Sequence, residues 1–486
     1  MKELIRKQAL WTAAVLSAAL IASLGCSVNP ATGERQFVLI GEQQEIAMGR
    51  EADVGIQQQM GLYPDEDVQR YVERLGKDMA SRSERPDLPW TFRVLDDPIV
   101  NAFALPGGYV YVTRGILTHF NSEAELASVL GHEIGHVTGR HGAERMSTAQ
   151  IASLGLGVAA IASEDFRPYA GVASTGLGLL FLKFGRDDER QADDLGLRYM
   201  TYANYDPNEM PGVFRTLERV SATQGGGRIP AWLSTHPDPG NRAVRIAEQT
   251  RALPPDQQHG TVNRDAYLAQ LEGMTFGQNP REGYVVGSTF YHPGLAFQLT
   301  FPDGWKVVNQ RQAVYALSPG EDAAVVLSLA EQGNPDQGFQ AFFGQQGLER
   351  GQSWRRSFYY FRTVPPETQQ QAQKYQGLVG FQSHGDQLLR LLSYTADSRW
   401  TGYSRTLQES LASFRRLTDR RYLDVQPKRV QVIALDRAMT LEEFNRRYPS
   451  TVDLRELAIL NGVDEGTRLE AGRKVKRIVG GELPTS

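Results

Sequence analysis

The chain has 486 residues, of which 41% are hydrophobic and 22% charged, a globular composition that excludes wholesale disorder and is long enough for roughly two to four domains. Lys+Arg 52 against Asp+Glu 56 gives a net charge of −4, without the basic excess that nucleic-acid binding needs, so no nucleic-acid partner is expected. A single cysteine excludes a disulfide framework, a zinc finger and an iron–sulfur site, and outside the N-terminus no unbroken apolar run of about 18 residues marks a membrane span.

Lys2, Arg6 and Lys7 precede an apolar run from Ala9 to Leu24, and Gly25-Cys26 follow, the layout of a secretory signal over residues 1–25. With the only cysteine at the cleavage position, this resembles a bacterial lipoprotein signal. The resemblance implies membrane attachment through lipidated Cys26. Ser27 rather than Asp after the cysteine implies the periplasmic face of the outer membrane of a Gram-negative bacterium.

Turn formers fill 27–41, and 42–60 and 65–82 read as helices. In the second, Val68, Tyr71, Val72, Leu75 and Met79 share a face. Trp90 to Leu95 and Gly108 to Thr113 alternate as strands. Ser122 with Glu125 three residues on is a capping-box pattern that starts the next helix. Residues 151–184 are the most apolar stretch after the signal, split by Glu164, Asp165 and Arg167 into halves too short to span a bilayer. They read as buried helices, or as a helical hairpin dipping into a membrane surface.

His132-Glu133-Ile134-Gly135-His136 lies inside the helical segment 122–140. Residues four apart share a helix face, so both imidazoles can meet one ion, and neutral imidazole is a preferred zinc donor. Glu133 is placed to take a proton from metal-activated water. Catalytic zinc generally takes three protein ligands plus water. His141, five residues after His136, does not fit a metzincin third ligand. Acidic residues within 185–193 (Asp187, Asp188, Glu189, Asp193) offer a carboxylate, and spacing does not choose among them.

Four further segments carry a resemblance. Arg186, Glu189, Ala192 and Asp193 match the pattern S-R-x-x-E-x-x-A-D, with Gly185 in place of the Ser. Asn29-Pro30-Ala31-Thr32-Gly33 is followed by Arg35-Gln36-Phe37. Asn101 to Gly108 precede the second strand. Ser234-Thr235-His236-Pro237 is followed by Arg242. Over residues 27–250 the chain resembles zinc metallopeptidases of the HtpX, BepA and LoiP type, metallopeptidase family forty-eight. The resemblance implies one Zn2+ per subunit on His132, His136 and Glu189, with Glu133 as catalytic base. It implies that Asp193 either accepts a hydrogen bond from a ligand imidazole or donates a proton, and that His236 either stabilises the oxyanion or takes the fourth zinc position in a latent state. It also places the strand Tyr109–Thr113 along the cleft, able to pair with substrate backbone. His119, His141, His259, His292 and His384 read as surface or structural.

From 283 the chain changes to short strands. Phe297, Leu299 and Phe301 alternate before a Pro302-Asp303-Gly304 turn that reads as a hairpin, Ala323–Leu329 is a strand, and 406–417 a closing helix. This part resembles PsbP/Mog-type α/β domains and reads as a binding or scaffolding module. After a linker at 419–428, residues 428–479 resemble a LysM-type peptidoglycan-binding unit through Val430, Val432, Thr440-Leu441, Leu457, Leu460, Asn461-Gly462 and Gly472. Ala438-Met439 stand where such units carry Gly-Asp.

The expected architecture is α+β and multidomain. A mainly helical, gluzincin-like zinc peptidase domain with a small β-sheet occupies 26–282, an α/β domain 283–420, and a LysM-like βααβ unit 421–486. The expected function is a lipid-anchored periplasmic zinc metalloendopeptidase that cleaves misfolded or misassembled envelope proteins, with peptidoglycan or envelope assembly machinery as further partners. The alternative is a non-enzymatic, chaperone-like assembly factor with a structural zinc.

Overall fold

Two short strands open the computed structural model, which describes residues 26–156, 184–223, 232, 235–236, 239–330, 333–365 and 373–485. The expected signal at 1–25 and most of the apolar stretch, 157–183, lie outside the described residues. Strands β1 (Cys26–Val28) and β2 (Arg35–Phe37) pair antiparallel. Helices α1 (Glu42–Met60) and α2 (Glu66–Ala80) follow, close to the predicted bounds. Asp65 caps α2 by accepting the N–H groups of Asp67 and Val68, and the predicted apolar face is the buried one. Among the described residues, no helix is long and apolar enough to cross a membrane.

Strands β3 (Thr91–Leu95), β4 (Ala102–Leu105) and β5 (Tyr109–Thr113) form a sheet in the order β3-β5-β4. This corrects one expectation. β5 is the central strand, parallel to β3 and antiparallel to β4, so both its edges are already paired and it has no edge left for a substrate. The edge strand on that side is β4.

Helix α3 (Arg114–His119) leads to α4 (Glu123–Thr138), whose every residue is buried. Ser122 caps α4 by accepting the Glu125 N–H at 3.1 Å. The return arm differs from a capping box: the Glu125 carboxylate takes the N–H of Asn121, one residue earlier. Then come α5 (His141–Leu156), α6 (Arg186–Tyr202), α7 (Met210–Thr223), α8 (Pro239–Ala252), α9 (Arg264–Leu271) and β6 (Thr275–Phe276). α4 and α6 meet backbone to backbone. A Cβ added at Gly131 would lie 2.9 Å from the Gly196 carbonyl oxygen, and one at Gly135 2.9 Å from that of Ala192. Only small residues allow that approach, and the approach is what sets acidic α6 side chains beside the α4 histidines.

The chain divides into two compact units, 1–277 with 429–479, and 278–428 with 480–486. In the second unit β7 (Tyr284–Val286), β8 (Thr289–His292) and β9 (Phe297–Thr300) join β17 (Arg415–Arg416) in a four-stranded sheet. A seven-stranded antiparallel sheet holds β10 (Lys306–Gln310), β11 (Ala313–Leu317), β12 (Ala323–Leu329), β16 (Gln387–Ala396), β15 (Tyr375–His384), β14 (Phe358–Thr363) and β13 (Leu348–Trp354), in that order. Helices α10 (Pro335–Phe343), α11 (Trp400–Ala412) and α12 (Arg420–Leu423) complete it.

The Pro302–Gly304 turn forms, with Trp305 N–H donating to the Pro302 oxygen at 3.2 Å, but it does not close a hairpin. β9 is paired on both sides, by β8 and β17, so the turn passes the chain from one sheet to the other. The closing helix runs 400–412 rather than 406–417. Trp400, Tyr403, Leu407 and Leu411 share its core-facing side, and Arg415-Arg416 are claimed by β17.

The C-terminal segment comprises β18 (Lys428–Ala434), β19 (Met439–Thr440), α13 (Leu441–Arg447), α14 (Leu454–Leu460), β20 (Arg468–Leu469) and β21 (Lys474–Val479). β18 and β21 pair antiparallel around the two helices. Unlike the separate unit expected at 421–486, residues 429–479 belong to the first unit. The sheet continues from β18 to β6, with Val430 N–H donating to the Met274 oxygen and Gly273 N–H to that of Val430, both at 2.9 Å. Buried Lys476 donates from Nζ to the carbonyl oxygens of Thr118 at 2.8 Å and Phe120 at 2.6 Å, capping the end of α3.

Candidate metal centre

α4 presents His132 and His136 one turn apart, and α6 presents Glu189 and Asp193 likewise. His132 Nε2 and His136 Nε2 are 3.0 Å apart, and Glu189 Oε1 is 3.5 Å from His136 Nε2. His236 enters from a third segment. Its backbone N–H donates to the Trp232 oxygen at 2.8 Å, its ring stacks on Trp232, and its Nδ1 lies 2.9 Å from Glu189 Oε1. One donor atom from each of His132, His136, Glu189 and His236 lies within 4.8 Å of the others, and all four residues are buried. Nitrogen and oxygen donors in this number fit zinc.

Glu133 is fully buried, and neither carboxylate oxygen has a hydrogen-bond partner among the described residues. Burial pushes its carboxyl up to about 7, against the charges of His136 and Arg242 and the Ala104 backbone beside it. A buried carboxylate left this way in a native protein calls for a specific reason, and a water or ion held beside it is one.

Asp193 Oδ1 is 3.0 Å from His132 Nδ1, on the far side of that ring from the donor cluster. Arg242 grips the same carboxylate twice, Nε to Oδ2 at 2.9 Å and Nη2 to Oδ1 at 2.6 Å, and its Nη1 lies 2.8 Å from Glu189 Oε2. Arg245 adds a bond to Asp193 Oδ2 at 3.0 Å. Burial alone raises the Asp193 carboxyl, but the charge of Arg242 and the bonds from His132 and Arg242 hold it well below the usual range. Burial lowers His132 to about 3, against the pull of Asp193, so its ring is neutral and able to ligate. Arg242 also lies over the rings of Phe214 and Trp232, at 4.6 and 5.0 Å from their centroids.

The six residues picked from the sequence, His132, Glu133, His136, Glu189, Asp193 and His236, thus meet in one place. On the same helix Asp187 pairs with Arg190, Asp188 with Arg145 and Asp194 with Arg245, so these three carboxylates are engaged away from the histidines. Two residues carry more than their sequence suggested. Arg242 stood in a motif without a role. His141, read as surface or structural, is buried with Nδ1 at 2.9 Å from His136 Nδ1. Arg140, at φ 58°, turns the chain at the end of α4 and sends His141 back onto that ring. Gly139 after Thr138 was the only sequence signal of that turn, and a weak one. Of the remaining histidines, His119 is buried against Gly115, His259 is exposed, and His292 and His384 lie in the second unit.

Residues 66–250, which hold every residue of this centre, match Peptidase family M48. The chain is 39% identical over 179 residues to mitochondrial metalloendopeptidase OMA1 of Schizosaccharomyces pombe, covering 37% of this chain and 52% of that protein. It is 32% identical over 210 residues to the Arabidopsis thaliana protein of the same name, covering 43% and 42%. A putative beta-barrel assembly-enhancing protease of Vibrio cholerae is 35% identical over 200 residues, covering 39% and 40%. The chain therefore spans about half, or less, of the length of these relatives. Among solved structures, a cyanobacterial PsbP of Synechocystis aligns with 27% of this chain and 94% of its own, at 14% identity and a TM-score of 0.20.

Proposed function

From a centre that lies wholly inside a Peptidase family M48 match, we propose that this chain is a zinc metalloendopeptidase that cleaves misfolded or misassembled envelope proteins. The observation that carries the reading is Glu133, a buried carboxylate with no hydrogen-bond partner among the described residues, next to the donor set of His132, His136, Glu189 and His236.

His132 and His136 would hold zinc through Nε2 and Glu189 through its carboxylate. Zinc, when bound, supplies a Lewis acid that polarises the scissile carbonyl and acidifies water. Glu133 takes the proton of the attacking water and returns it to the leaving amine. Asp193 accepts the Nδ1–H of His132 and fixes that ring. Both its oxygens are engaged by His132, Arg242 and Arg245, which favours this role over proton donation. His236 reaches the same point as the other donors, which supports the latent-state reading: its ring fills the position that water needs, and turnover requires it to swing out. Substrate backbone pairs with the β4 edge, since Ala104 of that strand lies beside Glu133.

A set of four protein donors is also what a structural zinc site uses, and that favours the second reading, a non-enzymatic assembly factor. Casein hydrolysis by the purified chain, blocked by a zinc chelator and restored by zinc, decides between them. No hydrolysis by either wild type or His236→Ala would leave the assembly factor standing.

The proposed setting is the periplasmic face of the outer membrane, reached through lipid on Cys26. Incorporation of labelled palmitate that Cys26→Ala abolishes would support it. Peptidoglycan, through residues 428–479, and envelope assembly machinery are the proposed partners beyond substrate. The support for the first is the strand–helix–helix–strand order of that segment.

A further inference from the structure

A chain of hydrogen bonds runs from the N-terminal segment to a metal ligand, and its polarity follows from donors and acceptors alone. Asn29 Oδ1 accepts the backbone N–H groups of Ala31 at 2.9 Å and Thr32 at 3.3 Å. Its amide is thereby oriented, and Nδ2 points the other way, donating to the Gly139 oxygen at 3.1 Å and to Gln191 Oε1 at 2.9 Å. Gln191 must then present oxygen. The same Oε1 is 2.8 Å from His141 Nε2, which therefore carries the hydrogen. A neutral imidazole has one N–H, so His141 Nδ1 is a lone pair. It faces His136 Nδ1 at 2.9 Å, so His136 carries its hydrogen on Nδ1 and its lone pair on Nε2. Nε2 is the atom that faces His132 and Glu189.

Gly139 supports the same chain. Its φ of −71° is ordinary, so the backbone does not call for glycine. The space does: a Cβ there would stand 2.6 Å from His141 Nε2 and 2.8 Å from Gln191 Oε1, in the middle of the link.

We propose that Asn29 is a positioning residue for the metal, setting through Gln191 and His141 the tautomer that frees His136 Nε2 for the ion. The proposal rests on the zinc reading above and goes beyond it, since it makes the segment next to Cys26 part of the support of the centre.

The test is the zinc Kd of the full chain at pH 7, from chelator competition, with the thermal melt of each metal-free variant as a folding control. In Asn29→Asp an acceptor faces Gln191, whose amide must rotate to present N–H. Every later link then reverses and the hydrogen moves to His136 Nε2, so zinc should bind about tenfold more weakly or worse. Gln191→Met removes the acceptor without touching the tie from Asn29 to Gly139, and should weaken binding by a similar factor. Gln191→Glu offers oxygen to both neighbours in either rotation and should stay within about threefold of wild type. Wild-type affinity in Gln191→Met, or equal weakening in Gln191→Met and Gln191→Glu, overturns the proposal. The Gln191 pair decides the matter even if Asn29→Asp does not fold. Failure of wild type to bind zinc is a different result, and removes the zinc reading itself.

Discussion

Arg242 and Asp193 form a two-point ion pair, at 2.9 and 2.6 Å, buried directly behind the His132 ring. Their separation in sequence hides the pair, yet it decides whether two carboxylates can stay charged in a dry site. Removing one partner of a buried pair strands the other charge. Arg242→Met should therefore destabilise the metal-free protein by about 3–5 kcal/mol in denaturant unfolding. Arg242→Lys keeps the charge but cannot supply both bonds, and should recover only part of that loss.

Glu133→Gln preserves size and removes the base. Zinc content and melting temperature should stay at wild-type level while peptide hydrolysis falls by about 10²–10⁴-fold. Metal analysis beside a casein assay checks both halves. Loss of zinc together with activity would make Glu133 a structural residue.

His236→Ala opens the fourth position of the donor set. Turnover should rise relative to wild type while zinc affinity falls, since one of four donors is gone. A drop in turnover at full zinc loading would assign His236 to oxyanion stabilisation instead.

His119 gives the stability a pH signature. Burial lowers its pKa from 6.5 to about 4, opposed by the bond to Gly115 and aided by the charge of Lys476. As pH falls below 6.5 the unfolded chain takes the proton first, so this contribution is complete above 6.5 and is lost as pH falls to about 4. Its size is about 3 kcal/mol. His119→Asn can keep a donor for the Gly115 oxygen without titrating. Metal-free denaturant unfolding of the two proteins between pH 6.5 and 4 should show the flatter slope in the variant.

Truncation after Arg420 distinguishes a detachable C-terminal unit from an integral one. The cut removes one side of the shared core, the β18 partner of β6 and the lysine that closes the end of α3. The truncated chain should lose its cooperative melt and its zinc. A cooperative transition near the wild-type temperature would show that 421–486 stands alone.

The sequence carried the chemistry of the centre further than its neighbourhood. Two imidazoles four apart declare a common face, and a carboxylate beside one of them declares a base, because both facts are local to a helix. The carboxylate that joins the two imidazoles needed a matched motif, since nothing local tells Glu189 from Asp188. The roles of Arg242 and His141 were not legible, because the partners of Arg242 sit on another helix and those of His141 are set by a turn at Arg140. Alternation marked Tyr109–Thr113 as a strand but is silent about which strands flank it, so its central position was not legible. The same limit turned the Pro302–Gly304 turn into a hairpin on paper. The polar linker at 419–428 does end where one unit gives way to the other, at Lys428, but that the chain beyond it rejoins the first unit, through β18 pairing with β6, is a long-range event that composition does not encode.

The first unit is written in two instalments, with residues 278–428 between them. During synthesis, the helix that bears His132 and His136 ends at Thr138 and must wait for about 340 further residues before the strand ending at Val479 can dock and Lys476 can close the end of α3. A chain stopped short of Lys474 therefore lacks the strand that completes the β21-β18-β6 sheet and leaves the end of α3 without its lysine, so the first unit closes late, after the whole of residues 278–428 has been made.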